Sequence, residues 1–472
     1  MNPTMTIARQ EIRSTLRDRR FWAVALTVWA LLGTATLVGF TSARQLQAQR
    51  EAAQREARNQ WLGQGDKNPH SAAHYGTYAF RPQSALSYVD FGLDRYLGHV
   101  IYLEGHRQNP ARFSAAQDGG ALLRFGELTV AFVLQLLVPL LVIFLCFNAI
   151  TREREEATLC MLLGQGVSGR QVVFGKILGL GAVTGLVVFP ALLLSTALLF
   201  FTGETAPTGD LLARAAWLTV FYLLYAAVFV VGSVLVSAHS QTSTVALLSL
   251  LGFWIGACVL LPKATANLGA TLHPAPSRFE FIRALHEDEE KGLNGHDPAS
   301  QRMKELERKI LVQYGVDSLS QLPINFDGLA MQESEKYTTR VNDKHFGNLR
   351  TISQRQNRVA DWASLLNPYL AVRSLSMGLA GNDYAQFVDF QQRAEAYRFR
   401  MVEFLNHYMR DNSKTGDWEF KVNIWDDLPD FAYTPPTAGT VLRGYGLAIA
   451  SLLGWMLGGL LLVCFTTNRL RV

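Results

Sequence analysis

Gly175-Lys176 closes a stretch beginning at Arg170 in the way a phosphate-binding loop closes, with a lysine placed to reach a nucleotide's outer phosphates. The leading glycine is missing at its required offset, and Ile177 stands where a Ser or Thr hydroxyl must hold magnesium, so this chain is expected to have no nucleotide site. His286-Glu287-Asp288-Glu289-Glu290 begins like a zinc-protease helix, in which two histidines one turn apart hold the metal and the glutamate activates water. Glu290 occupies the second histidine's place, and the run reads as a solvated acidic surface. His70 and His74 are spaced to share a helix face, with His99 and His106 further along, which gives the imidazole donors of a metal site. The neighbouring Pro69, Tyr75 and Gly76 suit structural or surface histidines equally, and both readings stay open. His296, inside Asn294-Gly295-His296-Asp297-Pro298, has the surroundings of a turn. With no nucleophile-base pair and no complete metal constellation, the chain is expected to be non-catalytic, with no metal ligand assigned and no cofactor of its own.

The other chemically telling residues lie inside apolar runs. Gln135 is followed by Pro139, so one helix face carries a side-chain amide and a carbonyl that proline cannot pair. Tyr222 and Tyr225 sit in another run. All three can serve as interhelical contacts or line a pathway. Gly175, Gly179, Gly181 and Gly185, and Gly454, Gly458 and Gly459, form small-residue faces for close helix approach.

The elements that position these residues follow from composition. The 472 residues are 49% hydrophobic and 18% charged, with a mean hydropathy of +0.10: long polar blocks alternate with strongly apolar ones. Six apolar runs are long enough to cross a hydrocarbon core, which takes about 20 helical residues: Phe21 to Phe40, Leu128 to Ile150, Ile177 to Phe201, Ala215 to Ala238, Ser243 to Leu261 and Val441 to Thr466. The fourth and fifth are joined so briefly that they must form a tight hairpin. Arg9, Arg13, Arg17, Arg19 and Arg20 precede the first run, Arg152, Arg154, Arg170 and Lys176 separate the second from the third, and Arg469 and Arg471 end the chain. The positive-inside rule puts all three groups, and so both termini, in the cytoplasm. A signal peptide in place of the first span would need a shorter apolar core, about 7–15 residues. Met5, Ala8, Ile12 and Leu16 face away from the arginines before it, as in a helix lying on anionic headgroups. The net charge of +5 is too small and dispersed for nucleic-acid binding.

The expected fold class is an all-α membrane protein with six transmembrane helices and a mainly helical periplasmic domain built from two insertions. Residues 1–40 form the interfacial helix and first span, 41–127 the first insertion, 128–261 spans two to five with a hairpin at 151–176, 262–440 the large domain, and 441–472 the last span and tail. Ala43 to Trp61 has no breaker and predicts an outward helical stalk. Helices are predicted for Ser300 to Tyr314, Asp327 to Leu366 and Tyr384 to Met409, and the alternation from Trp418 to Trp425 predicts a strand. Cys146, Cys160, Cys258 and Cys464 avoid both insertions, which must hold together by packing.

The hairpin reads Thr151-Arg152-Glu153-Arg154-Glu155-Glu156-Ala157-Thr158-Leu159, then Leu162-Leu163, a turn with Ser168 and Arg170, and Gly175-Lys176. It resembles the loop by which permeases of the ABC type-2 exporter superfamily engage their ATPase, with Ala157 where the pattern has Gly and Gly166 where it has Pro. His74 to Phe80, Leu103 to Asn109, Gly292 to Pro298 and Asn367 to Met377 resemble a branch with enlarged outer domains, classed as a domain of unknown function. The resemblance implies a permease subunit in a bacterial inner membrane, and no substrate is implied with it. It implies partners too: ABC ATPase subunits carrying ATP and magnesium, a second copy of itself or a related permease, membrane lipids, and a periplasmic partner in the reading where the chain relays motion. Arg152, Glu153, Arg154, Glu155, Thr158, Leu159, Leu162, Ser168, Arg170 and Lys176 are the implied ATPase contacts. Export through the spans is the first expected function, and mechanical relay to a periplasmic or outer-membrane partner the second.

Overall fold

The computed structural model describes residues 2–114, 128–201, 208–293 and 299–466. Helix α1 (Pro3–Arg17) is capped by Asn2, whose side chain accepts the Thr4 N–H, and Asp18 ends it and caps α2 (Arg19–Leu62) through the Arg20 N–H. The 44 residues of α2 span about 66 Å at 1.5 Å per residue. That is roughly twice the 30 Å hydrocarbon core, so the first span continues unbroken into the stalk its sequence predicts. After α2 come the short helix α3 (Pro69–Tyr75) and the antiparallel pair β1 (Thr77–Phe80) and β2 (Val100–Leu103), with Thr77 opposite Leu103 and Phe80 opposite Val100.

The bundle continues with α4 (Val130–Glu155), α5 (Thr158–Gly164), α6 (Gly169–Leu198), α7 (Gly209–His239) and α8 (Ser243–Leu272). Together with α2 and the last helix, these include six helices long and apolar enough to cross a membrane. Helix α8 runs well past the expected end at Leu261, because nothing after Pro262 breaks it before His273.

The second insertion contributes α9 (Arg278–Lys291), α10 (Ala299–Tyr314), α11 (Phe326–Ala363), α12 (Pro368–Ala380) and α13 (Tyr384–Asn412). The chain returns through α14 (Ala438–Gly444) to the last span, α15 (Gly446–Thr466). Helices α10, α11 and α13 lie where the sequence places them. The acidic run at His286 is part of α9, where Asp288 meets Lys344 and His345 at 2.5 and 2.8 Å. The predicted strand at Trp418–Trp425 does not form: Val422 makes one isolated bridge to Lys67, and a 3-10 turn follows at Trp425–Asp427. In this stretch Ile424 and Trp425 are buried while Trp418 is exposed, so the alternation ends in a packed anchor rather than a ladder with a partner strand.

Two main cores result. One joins the spans to α12 and to Leu86, Tyr88 and Val89. The other joins the stalk end Trp61, α3, β2 and α13 with Trp425, where the Trp61 indole N–H donates to the Trp425 carbonyl at 2.9 Å. The two insertions therefore fold as one extramembrane domain. Helix α11, 38 residues or about 57 Å, runs along it; its lower half packs on the overhang of α8, where Gln356 donates to the His273 carbonyl at 2.6 Å.

Candidate functional site

The charged hairpin turns where its backbone demands. Ala157 adopts the left-handed region at φ 56° before α5, and Gly166 does so at φ 84° before α6. An L-residue with a side chain is strained there by roughly 1–2 kcal/mol, which accounts physically for glycine at the Ala157 place in the pattern the loop resembles. Ser168 then caps α6 in a reciprocal box with Gln171.

Most of the hairpin's charged groups find partners within the chain. Lys176, largely buried, donates to Glu153 and to Glu11 of α1, both at 2.8 Å, and Glu153 also accepts from the Thr158 hydroxyl. Gly175 and Gly179 admit α1 at this point, since a Cβ on either would lie 2.7 Å from Ile7 or Glu11. Ile7, Ile12 and Leu16 thus pack on the bundle while Arg9, Arg13 and Arg17 stay exposed. Arg154 donates to the carbonyls of Ser240 and Ala238 at the C-terminus of α7, at 2.6 and 3.1 Å. Glu155 accepts the Ser243 N–H at the N-terminus of α8, at 2.7 Å. Cation at one helix end and anion at the next complement both macrodipoles. Arg170 reaches the Cys464 carbonyl of α15 at 2.8 Å. Leu159 is buried and Leu162 half-buried, whereas Arg152, which pairs with Glu156, and Glu155, Cys160, Met161, Gln165, Ser168 and Arg170 are exposed. The outward surface is thus narrower than the ten residues singled out in the sequence.

At the opposite end of the bundle, Gln135, Tyr222 and Tyr225 come together. The wide π turn Val133–Leu137 precedes Pro139, whose missing N–H frees the Gln135 carbonyl. The Tyr225 hydroxyl donates to that carbonyl at 2.9 Å, and the Gln135 amide donates to the Tyr222 hydroxyl at 3.1 Å. Pro262 follows a second π turn, Ile255–Leu260, and there the Asn367 amide donates to the Ala257 carbonyl at 2.7 Å. In α6, which contains Pro190, the Trp29 indole donates to the Val187 carbonyl at 2.9 Å.

The network continues into the extramembrane domain. Tyr222 meets the Ser376 hydroxyl of α12 at 2.6 Å, Ser376 donates to the Asp90 carboxylate, and the other Asp90 oxygen accepts the Gly92 N–H at 2.8 Å. Burial raises the Asp90 carboxyl above its ordinary value, opposed by the Ser376 and Gly92 bonds and by Arg373. Arg214 of α7, buried, donates to the Leu379 carbonyl at 3.1 Å and to Pro436, closing the C-terminus of α12. Asp90 and Arg214 were not singled out in the sequence, and Asn367 and Ser376 only as part of the stretch Asn367 to Met377. Arg214 had a signal, a charge at the mouth of an apolar run; Asp90 had none, because its partners are distant in the chain.

The histidines divide. His99 lies by Asp94, with Nδ1 3.5 Å from the carboxylate, in a group with Arg50 and Arg81; burial pushes it down to about 4 against the pull of Asp94. His70, His74 and His106 converge elsewhere on the domain. His296, Arg469 and Arg471 lie outside the described residues. All four cysteines are free.

Residues 278–434 match the family model described as a domain of unknown function, DUF3526. The protein is a multi-span helical membrane protein carrying a DUF3526 domain. The matched stretch covers α9 to α13 and so includes α12, the helix that meets the spans. A search of curated proteins finds no match to this chain.

Proposed function

We propose that this chain is the non-catalytic membrane subunit of an ATP-driven complex of the ABC type, in which a separate ATPase, loaded with ATP and magnesium, presses on the exposed tip of the hairpin. The carrying observation is the set of bonds from the hairpin to the middle of α1 and to the ends of α7, α8 and α15, through Lys176, Arg154, Glu155 and Arg170. A push on Met161 or Gln165 would move these helices together rather than bend a loop. The charge asymmetry supports a bacterial inner-membrane location with the termini and hairpin cytoplasmic and the large domain periplasmic.

Between the two functions open to such a subunit, the packing favours relay. Gln135, Tyr222 and Tyr225 are buried and bonded to each other and to α12, and two closely packed helices, α8 and α11, rise from the bundle into the domain. Rigid-body motion is the natural response of such an assembly. Export is the second reading, favoured by an apolar cavity of about 530 Å³ among α7, α8 and α15, which takes in Gly232, Gly454 and Gly458. A pathway built on it would run between two copies rather than through one.

A paired assay of Gln135→Leu and Thr351→Pro at matched expression separates the readings. Relay predicts that Thr351→Pro, which breaks α11 at an exposed position, abolishes function while Gln135→Leu keeps it. Loss of transport or of substrate-stimulated ATP hydrolysis in Gln135→Leu alone would overturn relay in favour of export.

A further inference from the structure

His70, His74 and His106 offer ring nitrogens that all lie within 4.8 Å of one another. The Nε2 atoms of His70 and His74 are 3.2 Å apart, which is close to the edge of about 3.3 Å that Zn–N bonds of about 2.0 Å give a tetrahedron. Helix α3 sets this pair by placing them one turn apart on the same face. The third imidazole is brought up by a different element. Gly105 N–H bonds to the Ala73 carbonyl at 2.9 Å, and His106 then adopts the left-handed region at φ 64°, a conformation few non-glycine residues take.

What holds His106 is also what a metal-binding histidine requires. Its Nδ1 lies 3.3 Å from the Glu335 carboxylate, which accepts the His106 backbone N–H at 2.8 Å as well. Glu335 is fully buried and its other oxygen receives Arg398 at 2.5 Å. A carboxylate on one imidazole nitrogen fixes the tautomer that leaves the other nitrogen as a lone-pair donor. His70 faces His74 through Nε2, and its Nδ1 is buried without a hydrogen-bond partner among the described residues. His74 is exposed, which gives an ion a route in from solvent, and His106 borders a cavity of about 1230 Å³ that leaves room for a fourth ligand.

We propose that His70, His74 and His106 form a three-histidine site for a borderline first-row divalent cation, Zn²⁺ by the geometry, with an open fourth position and Glu335 as the carboxylate that orients His106. The donor set is all-nitrogen and uncharged, which suits Zn²⁺ and its imidazole-loving neighbours and discriminates against Mg²⁺ and Ca²⁺. The site lies wholly within the extramembrane domain, and its existence does not depend on how the spans are driven.

The test uses full-length, tag-free protein in detergent, stripped with chelator and titrated with Zn²⁺ alone, with Co²⁺ as a spectroscopic probe. Wild-type protein is expected to take up one Zn²⁺ per chain and to give the visible bands of tetrahedral Co²⁺. His74→Ala, at an exposed position that leaves folding intact, is expected to weaken Zn²⁺ at least about tenfold, and the triple alanine variant to lose it. His407→Ala, on α13 and outside that cavity, is expected to bind as wild type does. Equal uptake by the wild-type and triple variants, or no uptake by the wild type, would overturn the proposal.

Discussion

The two ends of the bundle are fastened by opposite means. At the hairpin, full charges do the joining: Lys176 between Glu153 and Glu11, Arg154 on the C-terminus of α7, Glu155 on the N-terminus of α8. At the domain end, hydroxyls, amides and proline-freed carbonyls do most of it, joined by Asp90, the Arg214–Asp210 pair and Asp383. The difference follows from solvation. At the hairpin a charge either keeps access to water, as Glu155 and Arg170 do, or is buried beside its counter-charges, as Lys176 is, whereas the packed interface with apolar helices favours neutral groups that satisfy one another. The hairpin end is thereby suited to receive a moving partner and the domain end to hold its shape.

The largest effect expected from breaking this contrast is at Lys176. Lys176→Ala strands two carboxylates, Glu153 and Glu11, in a partly buried site and should cost about 3 kcal/mol, as the loss of one partner from a buried pair does. Thermal unfolding in detergent reads it, and a fall matching an exposed-surface variant would show that the clamp is not structural. Asp90→Asn tests the other end. The Asp90 carboxyl is held above its ordinary value by burial, so its favourable contribution is complete below the unfolded carboxylate pKa, about 3.9, and is lost as pH rises through the raised value. The variant should therefore be at least as stable as wild type at neutral pH and show a flatter decline from acid to neutral; a lower neutral stability would mean that an ionised Asp90 is needed. The smallest effect is at the turn: Ala157→Gly should stabilise by about 1 kcal/mol by relieving the left-handed strain, checked by the same unfolding measurement.

The spans, the stalk and the long helices α10, α11 and α13 were legible because their signals are local: apolar length, unbroken helix formers, and a Pro after Asn367. The freed carbonyl at Gln135 was also legible, since proline fixes its consequence wherever it stands. The strand at Trp418–Trp425 was misread because alternation reports which faces are buried without naming a partner strand. The small pair β1 and β2 was hidden because each strand is only four residues long, and the Asp90–Ser376 contact because it joins the two insertions across 286 residues. In the hairpin, the charge density was plain, yet sequence could not separate charges turned outward from those spent on neighbouring helix ends.

That separation leads to the decisive measurement. Met161 is 58% exposed at the hairpin tip and touches none of the clamping bonds, so Met161→Glu should spare the fold while spoiling the surface offered to an ATPase. Affinity purification of wild-type and Met161→Glu protein from native membranes, with mass spectrometry of what co-elutes, is expected to recover a separate ATPase subunit with the wild type and strongly diminished amounts with the variant. Absence of any ATPase from the wild-type sample, or equal recovery with both, would contradict the account.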